Sequence, residues 1–258
     1  KQKTAYEIMP SLVGSEMCIR DSHICALPVA HAFALDLPIM PPLLSGGTIY
    51  IVRRFDATKV LQVLEENKIT VMAGVNTMYE RMTEVPNANK YDLSSLRVVI
   101  AGAMALHSEV ARKFKEIFGI TILPAYGSTE TLVVTITPPE LGPKPGSIGK
   151  PIPDVRVSIQ DEAGNFLPVG EVGELMVARD STMVGYLNLP KDNKESFRGE
   201  WFCTGDIATM DDDGYIYLIG RKKEMINTSG FSVFPKEVED IIAKHPKVKE
   251  VAVVGSSE

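Results

Sequence analysis

Between Thr48 and Leu123 the chain alternates strand-like and helix-like segments with little between them. The β-branched run from Thr48 to Val52 precedes Asp56, a residue type that caps helix N-termini. Val60, Leu61 and Leu64 then fall at helical spacing. Ile69 to Val75 predicts a second strand, and Thr77 to Glu84 a short helix. Leu96 to Ile100 predicts a buried strand that ends at Ala101-Gly102-Ala103. Ser108 is placed to cap a helix carrying Val110, Phe114, Ile117 and Phe118, which Gly119 stops. Ile120 to Leu123 predicts one more strand. Strands joined by helical crossovers pair in parallel. The expected fold class is therefore α/β, with a parallel sheet. Ligands of such sheets bind beyond the carboxyl ends of the strands. Gly102 stands at one such end, and the stretch Ala125-Tyr126-Gly127-Ser128-Thr129-Glu130 at another.

In that stretch Pro124 and Gly127 are expected to break regular structure. An aromatic ring, two hydroxyls and a carboxylate stand together there. The set can stack on a base, bind a phosphate and hold a hard cation. A polar turn after a strand would carry the same residues.

Past residue 140 the pattern changes. Pro138, Pro139, Pro143, Pro145, Pro151 and Pro153 exclude long helices, and short alternating strands follow around Val155 to Ile159 and Glu174 to Val177. Asp161 to Asn165 predicts a turn. Asp211-Asp212-Asp213-Gly214 predicts a hairpin turn rather than a metal site. Pro235 opens a helix through Ala243, and Val248 to Val254 reads as a last strand. The expected organisation is an α/β region over 23–140, an all-β region over 141–220, and the start of a small α+β domain over 221–258.

A net charge of -6 argues against a nucleic-acid partner. Cys18, Cys25 and Cys203 form no CxxC pair, which fits a reducing, cytoplasmic setting and offers no structural zinc site. No transmembrane helix is expected, because no apolar run approaches the roughly 18 residues one needs. Peripheral membrane contact is compatible with the sequence. Gly142 to Lys150 lacks phosphate-loop spacing, and there is no GxSxG elbow and no HExxH pair. Residues 1–22 read as foreign to the rest of the chain. TAYEIMPSLVGSEMCIRDS resembles translated sequencing-adaptor sequence and is set outside the expected fold.

Two further signatures stand downstream. In Trp201-Phe202-Cys203-Thr204-Gly205-Asp206, a carboxylate after a glycine turn can accept hydrogen bonds from a ribose diol; an ordinary aspartate turn is the alternative. Gly220-Arg221-Lys222-Lys223-Glu224-Met225-Ile226-Asn227-Thr228-Ser229-Gly230-Phe231 is either a functional joint or a charged linker. With Gly146 to Pro151, Gly173-Glu174-Leu175 and Gly185-Tyr186, this ordered set resembles the AMP-forming adenylate ligases, from about His23 to the end of the chain. That superfamily contains acyl-CoA synthetases, luciferases and peptide-synthetase adenylation domains.

The resemblance implies ATP/AMP, Mg²⁺ and coenzyme A as ligands, and it implies roles. Tyr126, followed by Gly127, would stack on adenine. Thr129 would bind the α-phosphate and Glu130 would hold Mg²⁺, which favours carboxylates together with substrate phosphates. Asp206 and Arg221 would bind the ribose. Lys223 would be the hinge of a mobile C-terminal domain, and Gly230 would pass close to the CoA arm. His31 would orient the acid's carboxylate; a buried structural histidine is the other reading. Gly74, Val75, Gly102 and Ala103 would line the acyl side. The chemistry implied is formation of an acyl-adenylate with release of pyrophosphate, then thioester formation with release of AMP. The family's phosphate loop would lie upstream of His23 and its C-terminal catalytic lysine downstream of Glu258. The chain is therefore expected to be a fragment with little turnover. Lys222 to Pro235 looks most like long- or medium-chain fatty-acid–CoA ligases. A ligase for aryl or amino acids, or a non-catalytic nucleotide- or acyl-binding pseudoenzyme, remains as an alternative.

Overall fold

The structure, a computed structural model, describes residues 21–228, 231–242, 245, 247–248 and 251–256. The chain divides into two compact units. The first holds the described residues up to Val155 together with Arg179–Met183. The second holds Arg156–Ala178 and the described residues from Val184 onward.

In the first unit, β1 (Ser22–Cys25) leads to a short helix α1 (Ala32–Ala34), a π-helical turn (Leu35–Ile39) and α2 (Met40–Ser45). Then come β2 (Thr48–Ile51), α3 (Ala57–Glu66), β3 (Val71–Gly74), α4 (Asn76–Thr83), β4 (Val98–Ala101) and α5 (Ser108–Phe118). β5 (Leu123–Ser128), β6 (Leu132–Ile136) and β7 (Lys150–Pro151) complete it. The sheet order is β2-β1-β3-β4-β5-β6-β7. Pairing is parallel from β2 to the start of β5 and antiparallel beyond.

The period of two in the strands divides the sheet's faces. Ile24, Met72, Val99, Ala101 and Ile122 point into one core with α3, α4 and α5, through Leu61, Leu64, Tyr79, Met82 and Phe114. Leu61, Leu64, Tyr79, Met82 and Phe114 are each 0% exposed, so each contributes roughly 1.5–3 kcal/mol by burial. Asp56 caps α3 as expected, accepting from the Lys59 N–H at 2.8 Å. Tyr79 and Phe114 meet edge to face with centroids 5.3 Å apart, and the Tyr79 hydroxyl donates to the Ile100 carbonyl.

Several expectations need correction. Ser108 is the first residue of α5, not its cap. His107 holds the cap position and makes no side-chain cap bond, while Gly119 at φ 73° ends the helix as read. The strand expected over Ile120 to Leu123 begins at Leu123 and runs through Tyr126 and Gly127. Pro124 and Gly127 do not break it. Leu123 and Pro124 pair with β4, and the residues after them switch to β6. Pro124 has no N–H to donate to the ladder, and its carbonyl accepts from the Thr137 N–H at 2.9 Å. The stretch set outside the fold ends too late. Ser22 pairs with Thr48 in β1–β2, and Asp21 is buried, bonded to Thr70 and ion-paired with Arg97.

The second unit carries a five-stranded antiparallel sheet. It is built from β8 (Arg156–Gln160), β9 (Gly173–Ala178), β10 (Phe197–Arg198), β11 (Trp201–Met210) and β12 (Ile216–Arg221). Its central pair is β9–β11. Asp211 shapes the β11–β12 turn as anticipated, accepting from the Asp213 and Tyr215 N–H groups. The region is not all-β: Pro190–Ser196 forms helix α6, with proline in its first turn where a missing N–H costs nothing. A ribbon of β13 (Ile226–Thr228) and β14 (Phe231–Val233) precedes α7 (Pro235–Ile242). Residues 251–254, expected in a strand, have no strand structure, and the Val253 N–H donates to Glu239 instead.

Candidate active site

Four strands of the first unit deliver candidate residues at their carboxyl ends. β1 leads to His31, β4 to Gly102 and Ala103, and β5 to Tyr126 through Glu130. Gly74 is the last residue of β3. A Cβ on Gly102 would stand 2.7 Å from the Phe33 ring, so this glycine lets the His31 segment lie against the end of β4. Ala103 takes φ 61°, an uncommon backbone state for a residue with a Cβ.

The stretch from Tyr126 to Glu130 is a strand feeding a tight turn. Tyr126 pairs with Thr135 and Gly127 with Val133, and the register shifts between Tyr126 and Gly127. A Cβ on Gly127 would collide with the Leu132 carbonyl. Thr129, Glu130 and Thr131 make the turn, and Leu132 leaves it at φ 57°. Thr131 is 1% exposed, and its hydroxyl ties the turn to the Ser128 N–H and hydroxyl. The Glu130 carbonyl accepts from the Met183 N–H at 2.8 Å. Thr129 is exposed and Glu130 half-buried. One carboxylate beside hydroxyls suits Mg²⁺, which takes one or two protein carboxylates and leaves its other positions to phosphate and water. Among the described residues no group of three or more His, Cys, Asp or Glu could hold a metal unaided.

His31 is neither buried nor packed in a core. It is exposed, at the N-cap of α1, where its Nδ1 accepts from the Phe33 N–H. The buried histidine is His23, which sequence reasoning missed. It is 6% exposed, and desolvation lowers its pKa to about 4 despite a bond with the Leu37 backbone. His23, Val71, Ala73, Ile100 and Leu123 line a cavity of about 250 Å³ on the sheet face opposite the helical core. Thr137 borders it as well; its hydroxyl and His23 Nδ1 are buried without a hydrogen-bond partner.

Sequence reasoning also missed Asp36 and Arg179. Asp36 lies in the π-helical turn, and its Oδ2 accepts from the Val133 N–H at 2.8 Å. Arg179 donates through Nη1 to the Val133 carbonyl at 2.8 Å. Desolvation raises the Asp36 pKa and lowers that of Arg179. One signal for Asp36 was in view: it is the single charge in the apolar run from Ala32 to Leu44.

In the second unit, Asp206 and Arg221 are register partners across β11 and β12. Arg221 Nε lies 2.9 Å from Asp206 Oδ1, with the carboxylate buried and the guanidinium largely exposed. Gly205 turns at φ 72° immediately before it. Glu174, quoted in the sequence without a role, accepts from the Gly205 N–H at 3.2 Å and lies 3.4 Å from both Arg198 and Lys222. Lys223 is exposed in the 3₁₀ turn Lys222–Glu224. Gly230 lies outside the described residues.

The description "AMP-binding enzyme" fits residues 3–187 of the chain, well over half of its 258 residues. The chain belongs to the AMP-binding enzyme family. It is similar to a long-chain-fatty-acid–CoA ligase of Yersinia pestis, at 37% identity over 92% of the chain and 42% of that protein. It is also similar to a feruloyl-CoA synthase of an Amycolatopsis species, at 34% identity over 95% of the chain and 50% of that protein. Among solved structures it resembles O-succinylbenzoate coenzyme A synthetase from Bacillus subtilis in complex with ATP and magnesium. That likeness has a TM-score of 0.87 and 28% identity, over 98% of the chain and 52% of the synthetase. The chain thus spans about half the length, or less, of the relatives it matches. Among the described residues no helix is long and apolar enough to cross a membrane.

Proposed function

We propose that the protein activates a fatty acid with ATP and passes the acyl group to coenzyme A, releasing pyrophosphate and then AMP. The observation that carries this reading is the Tyr126–Glu130 hairpin. It lies beyond the carboxyl end of the parallel pairing, with a hydroxyl and a carboxylate at its tip. In this reading Tyr126 stacks on adenine, beside the backbone of Gly127. Thr129 donates to the α-phosphate, and Glu130 holds Mg²⁺, which neutralises phosphate charge. His31, which caps α1, orients the acid's carboxylate in this reading. Gly74, Val75, Gly102 and Ala103 border the acyl side. Asp206 and Arg221 hold the ribose hydroxyls, Lys223 is the hinge between the two half-reactions, and Gly230 admits the CoA arm.

The fatty-acid–CoA ligase relative supports an apolar acid. The feruloyl-CoA synthase similarity supports an aryl acid as the second reading. Acyl-CoA formation by the full-length protein decides between them when measured over medium- and long-chain fatty acids, hydroxycinnamates and amino acids. Preference for fatty acids is expected; preference for hydroxycinnamates overturns the choice of acid and leaves the adenylation chemistry in place.

A further inference from the structure

The β5–β6 hairpin is held by two side chains that the chemistry does not use. Asp36 takes the N–H of Val133 and Arg179 takes its carbonyl, each at 2.8 Å. Val133 is the register partner of Gly127 and stands two residues after the turn residue Thr131. A residue in a sheet normally offers such groups to a neighbouring strand. Here both go to side chains from sequence-remote segments, 97 and 46 residues away. Both groups are costly to leave there: burial raises the Asp36 pKa and lowers that of Arg179. Asp36 is presented by a π-helical turn, a departure from α-helix that recurs at functional sites. The same turn follows α1, which His31 caps.

We propose that Asp36 and Arg179 are positioning residues. They hold the N–H and the carbonyl of Val133, in the two peptide groups that flank its Cα, fix the register of the hairpin, and so set where Thr129 and Glu130 stand relative to the His31 segment. This rests on the reading of Thr129 and Glu130 as phosphate and Mg²⁺ ligands. Neither Asp36 nor Arg179 touches substrate in it. Releasing either backbone group of Val133 lets the turn drift, and the interaction lost first is the one that demands the tightest geometry, the Mg²⁺–phosphate contact.

The test is Mg²⁺-dependent ATP binding by the full-length protein, measured by calorimetry in the absence of acid, together with adenylate formation followed as ATP–pyrophosphate exchange, with Mg²⁺ and the acid titrated separately. Asp36→Ala and Arg179→Met are expected to raise the half-saturating Mg²⁺ concentration about tenfold, the scale of one charge-assisted hydrogen bond. The KM for the acid should change by less than about twofold, within the spread of a neutral substitution. Asp36→Asn still offers an oxygen to the Val133 N–H and should recover most of the loss. The double variant should be no worse than the poorer single one, because both act through the backbone of one residue. If Asp36→Ala does not fold, Arg179→Met carries the test alone. Glu130→Gln separates the two failures. A Mg²⁺ shift in Glu130→Gln with none in the folded Asp36 and Arg179 variants overturns the clamp and keeps the site. No shift in Glu130→Gln overturns the site, and the clamp with it.

Discussion

The carboxylate of Asp206 and the guanidinium of Arg221 meet across β11 and β12, with Nε 2.9 Å from Oδ1. Two strands joined by the Asp211 turn thus deliver a fixed acceptor and a fixed donor fork to one spot. A vicinal diol can be bridged by such a pair, because it both donates and accepts.

Arg221→Ala is expected to raise the KM for ATP about tenfold and to cost about 1 kcal/mol of stability, the smaller figure because the guanidinium is largely exposed. Arg221→Lys should recover little, since an ammonium lacks the planar fork. The checks are ATP-dependence of exchange in the full-length protein and thermal unfolding. A lysine variant equal to wild type would mean that charge alone, not the fork, is used.

His23 gives the fold an acid-sensitive element. Its pKa is lowered from 6.5 to about 4 in the folded state, so between those values the unfolded chain binds the proton and the folded one does not. Stability is therefore full above the upper value and falls as pH drops toward the lower one, by up to about 3 kcal/mol across the window. Unfolding midpoints measured from pH 6.5 to 4 should fall more steeply for wild type than for His23→Phe. Parallel curves would remove His23 as the cause.

Thr137 faces the same cavity with its hydroxyl buried and unpartnered. Thr137→Val keeps the shape and deletes the unsatisfied group, so it should be neutral or stabilising by about 1 kcal/mol. A loss of stability beyond that would show that the hydroxyl has an occupant, such as a bridging water.

The crossover α/β order was legible because periodicity reports burial directly. Asp56, Val60, Leu61 and Leu64 form α3 as read, and the Phe114 helix stops at Gly119. What was not legible depends on contacts made far along the chain. Pro124 and Gly127 carry turn chemistry locally, yet pairing with β4 and then β6 overrides it. Ser108 is a good cap by type, but the backbone becomes helical one residue earlier than that role requires. The opening stretch reads as foreign through its likeness to adaptor sequence, and the bonds of Asp21 to Thr70 and Arg97 and the pairing of Ser22 with Thr48 show that these two residues belong to the fold. Arg179 and Glu174 are ordinary charges in sequence and Asp36 stands out only as the single charge of an apolar run, while their partners are 46, 31 and 97 residues away.

Gly127 tests the hairpin from its backbone. An added Cβ would strike the Leu132 carbonyl, which is backbone and cannot swing aside as a side chain would. Gly127→Ala should therefore distort the turn that carries Thr129 and Glu130. An expected cost is more than about 1 kcal/mol of stability, with loss of ATP binding. Gly102→Ala meets a side chain instead, the Phe33 ring, which can move. Its expected effect is on acid KM rather than on ATP. Calorimetric ATP binding by the two variants separates these outcomes; equal ATP affinity in Gly127→Ala and wild type contradicts the first.

Glu174 links the two ends of the second unit's candidate machinery. Its Oε1 receives the Gly205 N–H, one residue before Asp206, and its Oε2 lies 3.4 Å from Lys222, one residue before Lys223. The side chain is 8% exposed and also faces Arg198 at 3.4 Å, so the carboxylate satisfies one amide and two cations at once. Glu174→Gln keeps the volume but turns an amide toward those cations. It should cost about 1–3 kcal/mol, the penalty for unsatisfied buried polar groups. Lys222→Met in the same chain removes one of the stranded cations, so the double variant should lose less than the two single losses added together. Thermal unfolding of the four proteins of this cycle measures that coupling. Strict additivity would mean that Glu174 holds the Gly205 turn and Lys222 independently, and that the segments carrying Asp206 and Lys223 are not tied through it.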